Sequence, residues 1–264
     1  MTDESMNSMN RPKSLAKPLV VDRMSKSFGA VDIMLDLNLR VEPGEFICIV
    51  GPSGVGKTTL LRCLSGLAAP TSGQVTVGGE VVREPLDEIA LVFQDYRGSL
   101  MPWMRTLENV TFPLQGRGIG REQRDRTGME CLAAVGLENA ARSYPWELSG
   151  GMQQRVAIAR ALAYDAHILL MDEPFGSLDA QTRLGLEDLV LDLRKRLNIS
   201  IVVVTHDIDE AVYLADRVVV LSGRPATVVD TVTVDLGLNR DQLTTKSDPR
   251  FVQYRNRVLK EIMQ

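Results

Sequence analysis

Short apolar runs with the length of β-strands recur along the first third of the chain. They lie before residue 94, are bounded by Gly, Pro or Asp, and are "LVVDRMSKSF", "LDLNLRV", "EFICIV", "GQVTVGG" and "EIALVF". Several alternate apolar and polar positions, which is typical of a sheet with one face on the core and the other toward solvent. The pattern predicts an antiparallel sheet near the start of the chain.

The spacing of apolar positions becomes helical between Thr106 and Ala163, where no strand-like run occurs. Beyond it, "HILLMDEP", "ISIVVVTHD" and "RVVVLSG" are candidates for buried strands, separated by helical stretches over residues 180–197 and 208–215. Strands that alternate with helices predict a parallel sheet covered on both faces. We therefore expect an α/β core interrupted by a helical lobe at about residues 96–164.

The end of the chain has the pattern of one more helix. Four apolar positions follow each other at helical spacing, namely Phe251, Tyr254, Val258 and Ile262. This predicts a terminal helix that packs on the core, with a regulatory role as the alternative. The organisation that we expect is a flexible tail over residues 1–17, a main domain over residues 18–235 and a C-terminal extension over residues 236–264.

Composition narrows the class of protein. The 264 residues are 44% hydrophobic and 24% charged, which suits one large globular domain or two small lobes. A formal net charge of -4 and only 5% aromatic residues provide no overall basic surface. We therefore expect neither nucleic acid nor an acidic membrane as the main partner.

Two further features bear on the cellular setting. No apolar run approaches the roughly 18 to 20 residues that span a bilayer, and the first residues lack the apolar stretch of a secretory signal. The three cysteines, Cys48, Cys63 and Cys131, are odd in number and form no Cys-x-x-Cys pair. They are expected to be reduced, buried thiols of a cytosolic protein.

The strongest chemical motif is a phosphate-binding loop. "GPSGVGKT" fits G-x-x-x-x-G-K-[ST], and it follows a predicted strand and precedes a predicted helix. Its glycines let backbone N–H groups turn toward one point, and the helix adds its positive N-terminal end. Lys57 would reach the β- and γ-phosphates, and Thr58 would ligate Mg²⁺. The predicted nucleotide-binding residues are Gly51, Pro52, Ser53, Gly54, Val55, Gly56, Lys57, Thr58 and Thr59.

Four polar residues that end predicted strands are candidates for the same site. After "HILLM", Asp172 would hold Mg²⁺ and Glu173 would polarise an attacking water, although an acidic pair is also common at helix starts. His206, which ends the next strand, is either a γ-phosphate contact or a structural histidine. Gln94 either binds Mg²⁺ or water through its amide oxygen or is a surface glutamine.

The stretch "ELSGGMQQRVAIARAL" places Ser149, Gly150 and Gly151 at the start of a long helical run. A Gly pair disfavours a helix, so its presence there needs an explanation. One possibility is a first turn that holds a phosphate through its free N–H groups. The alternative is that Ser149 only caps the helix, which uses the same groups.

Taken together, "GPSGVGKTT", "VFQD", "LSGGMQQR", "ILLMDEP", "GSLD" and "THD" resemble, in order and spacing, the ATPase subunit of an ATP-binding cassette (ABC) transporter. The resemblance implies a RecA-like P-loop NTPase core with an N-terminal antiparallel β subdomain and an inserted α-helical subdomain. It also implies roles for five residues. Phe28 would stack on adenine, Gln94 would link Mg²⁺ and water to the helical lobe, and Glu173 would be the catalytic base. His206 would be the switch histidine, and Asp179 would touch a partner subunit.

The same resemblance implies the cofactors and the assembly. ATP would bind with Mg²⁺ held by Thr58, Gln94 and Asp172. Two copies of the chain would form a homodimer in which Ser149, Gly150 and Gly151 contact the γ-phosphate held by the partner's P-loop. Closure of that dimer by ATP would be coupled to a transporter.

A cassette on a chain of its own resembles the importers, which place the membrane permease on separate chains. The expected location is the cytoplasmic face of the inner membrane, with a periplasmic or extracellular solute-binding protein as an indirect partner. The apolar residues Leu100, Met101, Trp103 and Met104 suggest the groove for a permease helix, or else core packing.

Three stretches carry a closer resemblance, namely "MPWMRTLENV", "LSGRPATVVDTVTVDL" and the terminal "DPRFVQYRNRVLKEI". Among importers, they are most similar to the nitrate, sulfonate and taurine group. The alternatives are a non-transport ABC ATPase, acting in DNA repair or translation, and a stand-alone P-loop kinase or GTPase. "LSGGMQQR" would have no role in the last of these.

Overall fold

The computed structural model of the protein describes residues 17–263, with all side chains in that range except those of residues 96 and 97. Most of the predicted tail therefore lies outside the described residues. The strands are β1 (Leu19–Phe28), β2 (Val31–Val41), β3 (Phe46–Val50), β4 (Ser72–Val77), β5 (Glu80–Val81), β6 (Ile89–Val92), β7 (Ile168–Asp172), β8 (Ser200–Thr205), β9 (Arg217–Ser222) and β10 (Thr227–Thr233). The α-helices are α1 (Lys57–Leu64), α2 (Tyr96–Ser99), α3 (Thr106–Thr111), α4 (Arg121–Ala134), α5 (Gly150–Ala163), α6 (Ala180–Leu197), α7 (Ile208–Leu214) and α8 (Pro249–Ile262).

The larger sheet forms the centre of the molecule. Its strand order is β10-β9-β3-β8-β7-β6, and every pair is parallel except β10 with β9. The apolar strands β3, β7 and β8 are buried along their whole length, since helices cover one face of the sheet and α1 with the smaller sheet covers the other. The predicted parallel α/β core is confirmed.

The smaller sheet is antiparallel, with the order β2-β1-β4-β5. It contains three of the five early runs, as the alternating pattern predicts. The other two, "EFICIV" and "EIALVF", are the buried strands β3 and β6 of the parallel sheet. Burial on both faces explains why the strand residues of these two runs are all apolar.

The helical subdomain, formed by α2 to α5, is inserted between β6 and β7. Its helices pack on one another through buried residues such as Val110, Leu132 and Ile158. The same apolar cluster continues into the parallel sheet, so subdomain and core share packing.

The terminal helix α8 packs on the core as the spacing predicts. Phe251 and Val258 are buried, and Tyr254 and Ile262 pack against the same cluster. Strand β10, in contrast, is missing from the sequence-based prediction. A bulge between Val228 and Asp230 interrupts its period of two, and β10 is an edge strand that stays half exposed.

Two other expectations can be compared with the fold. Cys48, Cys63 and Cys131 are buried, and none of these three described residues forms a disulfide. Among the residues that the structure describes, no helix is long and apolar enough to cross a membrane.

Candidate functional site

The phosphate-binding loop joins β3 to α1 and is shaped by its glycines. Gly54 and Gly56 adopt left-handed backbone angles, with φ of 77° and 110°, which favour glycine over other residues. A Cβ at Gly51 would lie 2.4 Å from the carbonyl oxygen of Leu221, so the loop passes directly against the end of β9. The result is a tight loop that leads into the N-terminus of α1, where backbone N–H groups are available to an anion.

Lys57 is the first residue of α1 and lies folded back over the loop. Its Nζ donates to the carbonyl oxygens of Gly51 at 2.8 Å and of Pro52 at 3.2 Å. Burial lowers the pKa of Lys57, while the carboxylates of Glu173 and Asp172 act in the opposite direction. The ammonium group of Lys57 is therefore held at the loop by two uncharged carbonyl oxygens, which a phosphate could replace as acceptors.

Thr58 and Asp172 face each other across the site. The Thr58 hydroxyl donates to Oδ1 of Asp172 at 3.3 Å. Burial raises the pKa of Asp172, and the hydrogen bond from Thr58 partly offsets this effect. A hydroxyl and a carboxylate in contact beside a phosphate-binding loop are the oxygen ligands that Mg²⁺ uses.

Three of the predicted residues meet at one oxygen atom, Oε2 of Glu173. Nε2 of Gln94 donates to it at 3.3 Å, and Nδ1 of His206 lies 3.1 Å from it. The three residues follow β6, β7 and β8, which are neighbours in the parallel sheet and therefore end at the same edge. The His206 side chain is 62% exposed and Glu173 22%, so the carboxylate is shielded and the imidazole borders solvent.

Glu173 itself has a backbone conformation that is uncommon for its residue type. Its φ is 43°, in the left-handed region. Its amide donates to the carbonyl oxygen of Val204 at 2.9 Å, which fixes the turn to β8. The neighbouring strand thus determines where this carboxylate points.

Phe28 presents its ring on the small sheet and is 55% exposed. Nζ of Lys26 lies 4.9 Å from the ring centroid and donates to the carbonyl oxygen of Ala69 at 2.7 Å. Lys26 is not among the residues predicted from the sequence, although residues two apart on a strand share a face. The small sheet also reaches the P-loop, because a Cβ at Gly56 would lie 2.8 Å from Cγ2 of Ile33.

A second group of predicted residues lies at the starts of α5 and α6. Ser149 caps α5 by accepting from the amide of Met152 at 3.3 Å, and Asp179 caps α6 by accepting from the amide of Thr182 at 3.0 Å. Hydrogen bonds from Thr182 lower the pKa of Asp179. Within residues 17–263, no direct hydrogen bond joins Ser149, Gly150 or Gly151 to the P-loop.

Gly151 has a packing role that the sequence alone does not indicate. It is buried, and a Cβ added to it would lie 2.2 Å from the methyl carbon of Thr182. The absence of a side chain therefore lets the first turns of α5 and α6 approach each other. This contact places Ser149 and Asp179 at neighbouring helix starts.

We predict that Gly151→Ala destabilises the protein by roughly 1–3 kcal/mol, because the new methyl group overlaps that of Thr182. Thermal unfolding of the single and double variants provides the measurement. Thr182→Ser removes only the opposing methyl carbon, so adding it to Gly151→Ala should recover part of the lost stability. A Gly151→Ala protein as stable as the parent would show that the two helices are not closely packed here.

The P-loop, the acidic pair that ends β7 and the flanking Gln94 and His206 define a P-loop nucleoside triphosphatase. The family model described as "ABC transporter" matches residues 34–176, which is more than half of the chain. The chain belongs to the ABC transporter family and is an ATP-binding ATPase of that family. The stand-alone kinase or GTPase is thereby excluded.

Similar proteins cover nearly the whole chain. The nitrate import ATP-binding protein NrtD of Synechocystis is 45% identical over 87% of this chain and 88% of its own length. The taurine import ATP-binding protein TauB of Pseudomonas entomophila is 41% identical over 92% and 96%. The dimeric structure of the ATP-binding cassette MJ0796 bound to ADP and Pi has a TM-score of 0.72 at 33% identity, covering 82% of this chain and 99% of that one.

Proposed function

We propose that the chain is the ATP-hydrolysing subunit of an importer for a small solute, acting through a separate membrane permease from the cytoplasmic face of the membrane. The observation that carries this proposal is the likeness over most of the chain to import ATP-binding proteins for nitrate and taurine. A bicarbonate transport protein of Synechocystis, CmpD, is also 39% identical over 91% of this chain. The solute that these names favour is a small molecule or ion with an anionic oxygen-rich group, such as nitrate, taurine, another sulfonate or a similar ion.

In the proposed hydrolysis, Glu173 polarises the attacking water. Its Oε2 is already placed between the Gln94 amide and the His206 imidazole, both of which can hold a water or a phosphate oxygen. Lys57 and the loop amides bind the phosphates, and the exposed Phe28 ring is the platform for adenine. In this proposal the chain supplies a base, a set of phosphate-binding groups and two side chains that orient the water, all at the same edge of the sheet.

The donor set also fits Mg²⁺. Among the described residues no group of three His, Cys, Asp or Glu side chains could hold a metal ion. The Thr58 hydroxyl, the Asp172 carboxylate and the Gln94 amide oxygen would supply three ligands to Mg²⁺, and phosphate oxygens would complete its coordination, as is usual for Mg²⁺ with nucleotides. When bound, Mg²⁺ would offset charge on the phosphates.

The two separate groups of residues support a homodimer. Ser149, Gly150, Gly151 and Asp179 lie at helix starts, and in residues 17–263 no direct hydrogen bond joins them to the P-loop of the same chain. Helix N-termini favour anions, so this group can complete the site of a second copy. A cassette with a similar structure, MJ0796, is dimeric with ADP and Pi. ATP then closes the pair by binding more tightly to the closed state.

A surface groove supports docking of the permease. It has a volume of about 250 Å³ and lies between β6 and α5, lined mainly by apolar residues that include Leu67, Leu86, Phe93 and Ala161. Phe93 precedes Gln94, so an amphipathic helix in this groove would lie next to the hydrolytic site. The four residues that the sequence suggested for this role, all of them described by the structure, are not part of this lining, namely Leu100, Met101, Trp103 and Met104. Leu100 is buried in the core, whereas Trp103 is 69% exposed elsewhere on the helical subdomain.

We predict that Leu67→Glu reduces co-purification with the co-expressed permease at least about ten-fold, because docking would bury an unpaired charge. The ATPase rate of the isolated chain should stay within about two-fold, since Leu67 lies outside the P-loop. Leu35→Glu is the matched control, because Leu35 is similarly exposed but lies on β2. Equal recovery of permease with both variants would contradict the groove assignment.

The alternative is a non-transport ABC ATPase in DNA repair or translation. Measurement of solute uptake distinguishes it from an importer subunit, for which two results are expected. Deletion of the gene should abolish ATP-dependent uptake of one small anion, which is measured with labelled nitrate, taurine, other sulfonates and bicarbonate. Reintroducing the parent gene, but not a Glu173→Gln gene, should restore uptake. Unchanged uptake of every anion, with no permease bound to the purified chain, would favour the alternative.

A further inference from the structure

The segment that connects β10 to α8, residues 234–248, contains an arginine whose side chain is turned into the protein. The Arg240 side chain is only 3% exposed. Its guanidinium donates to the carbonyl oxygens of Val212 at 3.4 Å, Tyr213 at 2.6 Å and Ala215 at 2.9 Å. These carbonyls end α7, where a helix lacks partners for its last oxygens. Arg240 therefore caps α7 from a segment far along the chain.

The same connecting segment also holds α6. Nε2 of Gln242 donates to Oε2 of Glu187 at 3.0 Å and to Oδ1 of Asp188 at 2.9 Å. Nζ of Lys246 lies 3.5 Å from Oε2 of Glu187, a carboxylate that is almost wholly buried, and 4.7 Å from the centroid of the Tyr213 ring. Since Tyr213 is on α7 and Glu187 on α6, Lys246 contacts both helices.

Two direct contacts tie these helices to each other. The Tyr213 hydroxyl donates to Oδ1 of Asp188 at 2.6 Å, toward the end of α7. At the start of α7, Nη1 of Arg183 on α6 lies 3.5 Å from Oδ2 of Asp207, the residue that caps α7. The helices α6 and α7 and the connecting segment therefore form one hydrogen-bonded unit.

The starts of these two helices carry functional residues. Asp179 caps α6, and His206 directly precedes Asp207, the cap of α7. Because a short helix moves as a body, a shift at the end of α7 is transmitted to its first turn and to His206. The position of His206 next to Glu173 thus depends on what holds α7.

We propose that Arg240, Gln242 and Lys246 are positioning residues for ATP hydrolysis, which set the place of His206 and Asp179 by holding α7 and α6. This inference rests on the proposed role of His206. Within the part of the chain that the structure describes, none of the three side chains forms a hydrogen bond or ion pair with Phe28, with the P-loop or with α1. Their loss should therefore affect the rate of hydrolysis and leave nucleotide affinity unchanged.

The test compares Arg240→Ala with Arg250→Ala in the full chain. Arg250 also belongs to the C-terminal extension, but it pairs with Asp248, and among the described residues it forms no hydrogen bond or ion pair with α6 or α7. Arg240→Ala should lower kcat about ten-fold, since small misplacement of a reacting group has effects of this order. The Kd for ATP, from equilibrium binding, should stay within about two-fold. Arg250→Ala should leave both values at those of the parent.

A second comparison distinguishes an effect on the position of His206 from a general loss of rigidity in the protein. If Arg240 acts through His206, then Arg240→Ala should change kcat by less than two-fold in a His206→Ala background. Equal effects in both backgrounds would overturn the inference, as would a parental kcat for Arg240→Ala. If His206→Ala alone keeps the parental rate, the proposed role of His206 fails and this inference fails with it, although an importer ATPase would still stand.

A milder variant covers the case in which Arg240→Ala does not fold. Gln242→Ala removes a partly exposed side chain and should lower kcat about three-fold with unchanged Kd for ATP. A folded Gln242→Ala protein with the parental kcat would overturn the inference. Total absence of ATPase activity in the parent chain would instead contradict the proposed function.

Discussion

Glu173→Gln should hydrolyse ATP at least about 100-fold more slowly than the parent while binding ATP with unchanged affinity. The amide keeps the shape of the carboxylate and can still contact Gln94 and His206, but it cannot accept a proton from water. Loss of a general base has effects of this size. The measurements are single-turnover hydrolysis and equilibrium binding of ATP.

The same variant should reveal the dimer. When hydrolysis is slow, ATP remains bound, so gel filtration with ATP and Mg²⁺ should show a species of twice the mass of the chain. Glu80→Gln on the exposed strand β5 is the control, and it should hydrolyse ATP at the parental rate. A Glu173→Gln protein with the parental rate would show that another group activates the water.

Lys57→Ala should weaken ATP binding about 10- to 100-fold, with a corresponding loss of hydrolysis at low ATP. The ammonium group is held over the loop by the carbonyl oxygens of Gly51 and Pro52, and a phosphate would exchange these neutral partners for charged ones. A hydrogen bond between charged groups contributes about 1.5–3 kcal/mol, which corresponds to this range.

Isothermal titration with ATP measures the loss of affinity directly. Lys260→Ala is a suitable control because Lys260 is exposed on α8, away from the P-loop. Parental affinity of the Lys57→Ala protein would mean that the loop amides alone hold the triphosphate. In that case the position of Lys57 at the start of α1 would be only structural.

The sequence predicted the fold best where burial forces a simple pattern. Strands β3, β7 and β8 are covered on both faces, so their apolar runs stand out against the flanking Gly, Pro and Asp residues. Strand β10 could not be found in this way. Only Val232 among its seven residues is buried, and the bulge after Val228 breaks the alternation.

The residues of the candidate site could be predicted from the sequence because they follow apolar strands. Their arrangement in space could not be predicted in this way. Gln94, Glu173 and His206 each follow an apolar run, yet their meeting at one oxygen depends on the order β6-β7-β8, in which β3 does not intervene. The role of Gly151 could not be predicted either, because its neighbour Thr182 lies on another helix. Arg240 lies in a stretch without periodicity, and its contacts with α7 arise only in three dimensions.

The left-handed backbone conformation of Glu173 lowers the stability of the fold at the residue that is proposed to polarise the attacking water. A non-glycine residue in this conformation costs about 1–2 kcal/mol, whereas Gly adopts it without that cost. Selection for a more stable fold alone would therefore favour Gly at this turn. A glutamate in this conformation reduces the stability of the protein even with the hydrogen bond to Val204, and the proposed role of its carboxylate in hydrolysis would account for its presence there.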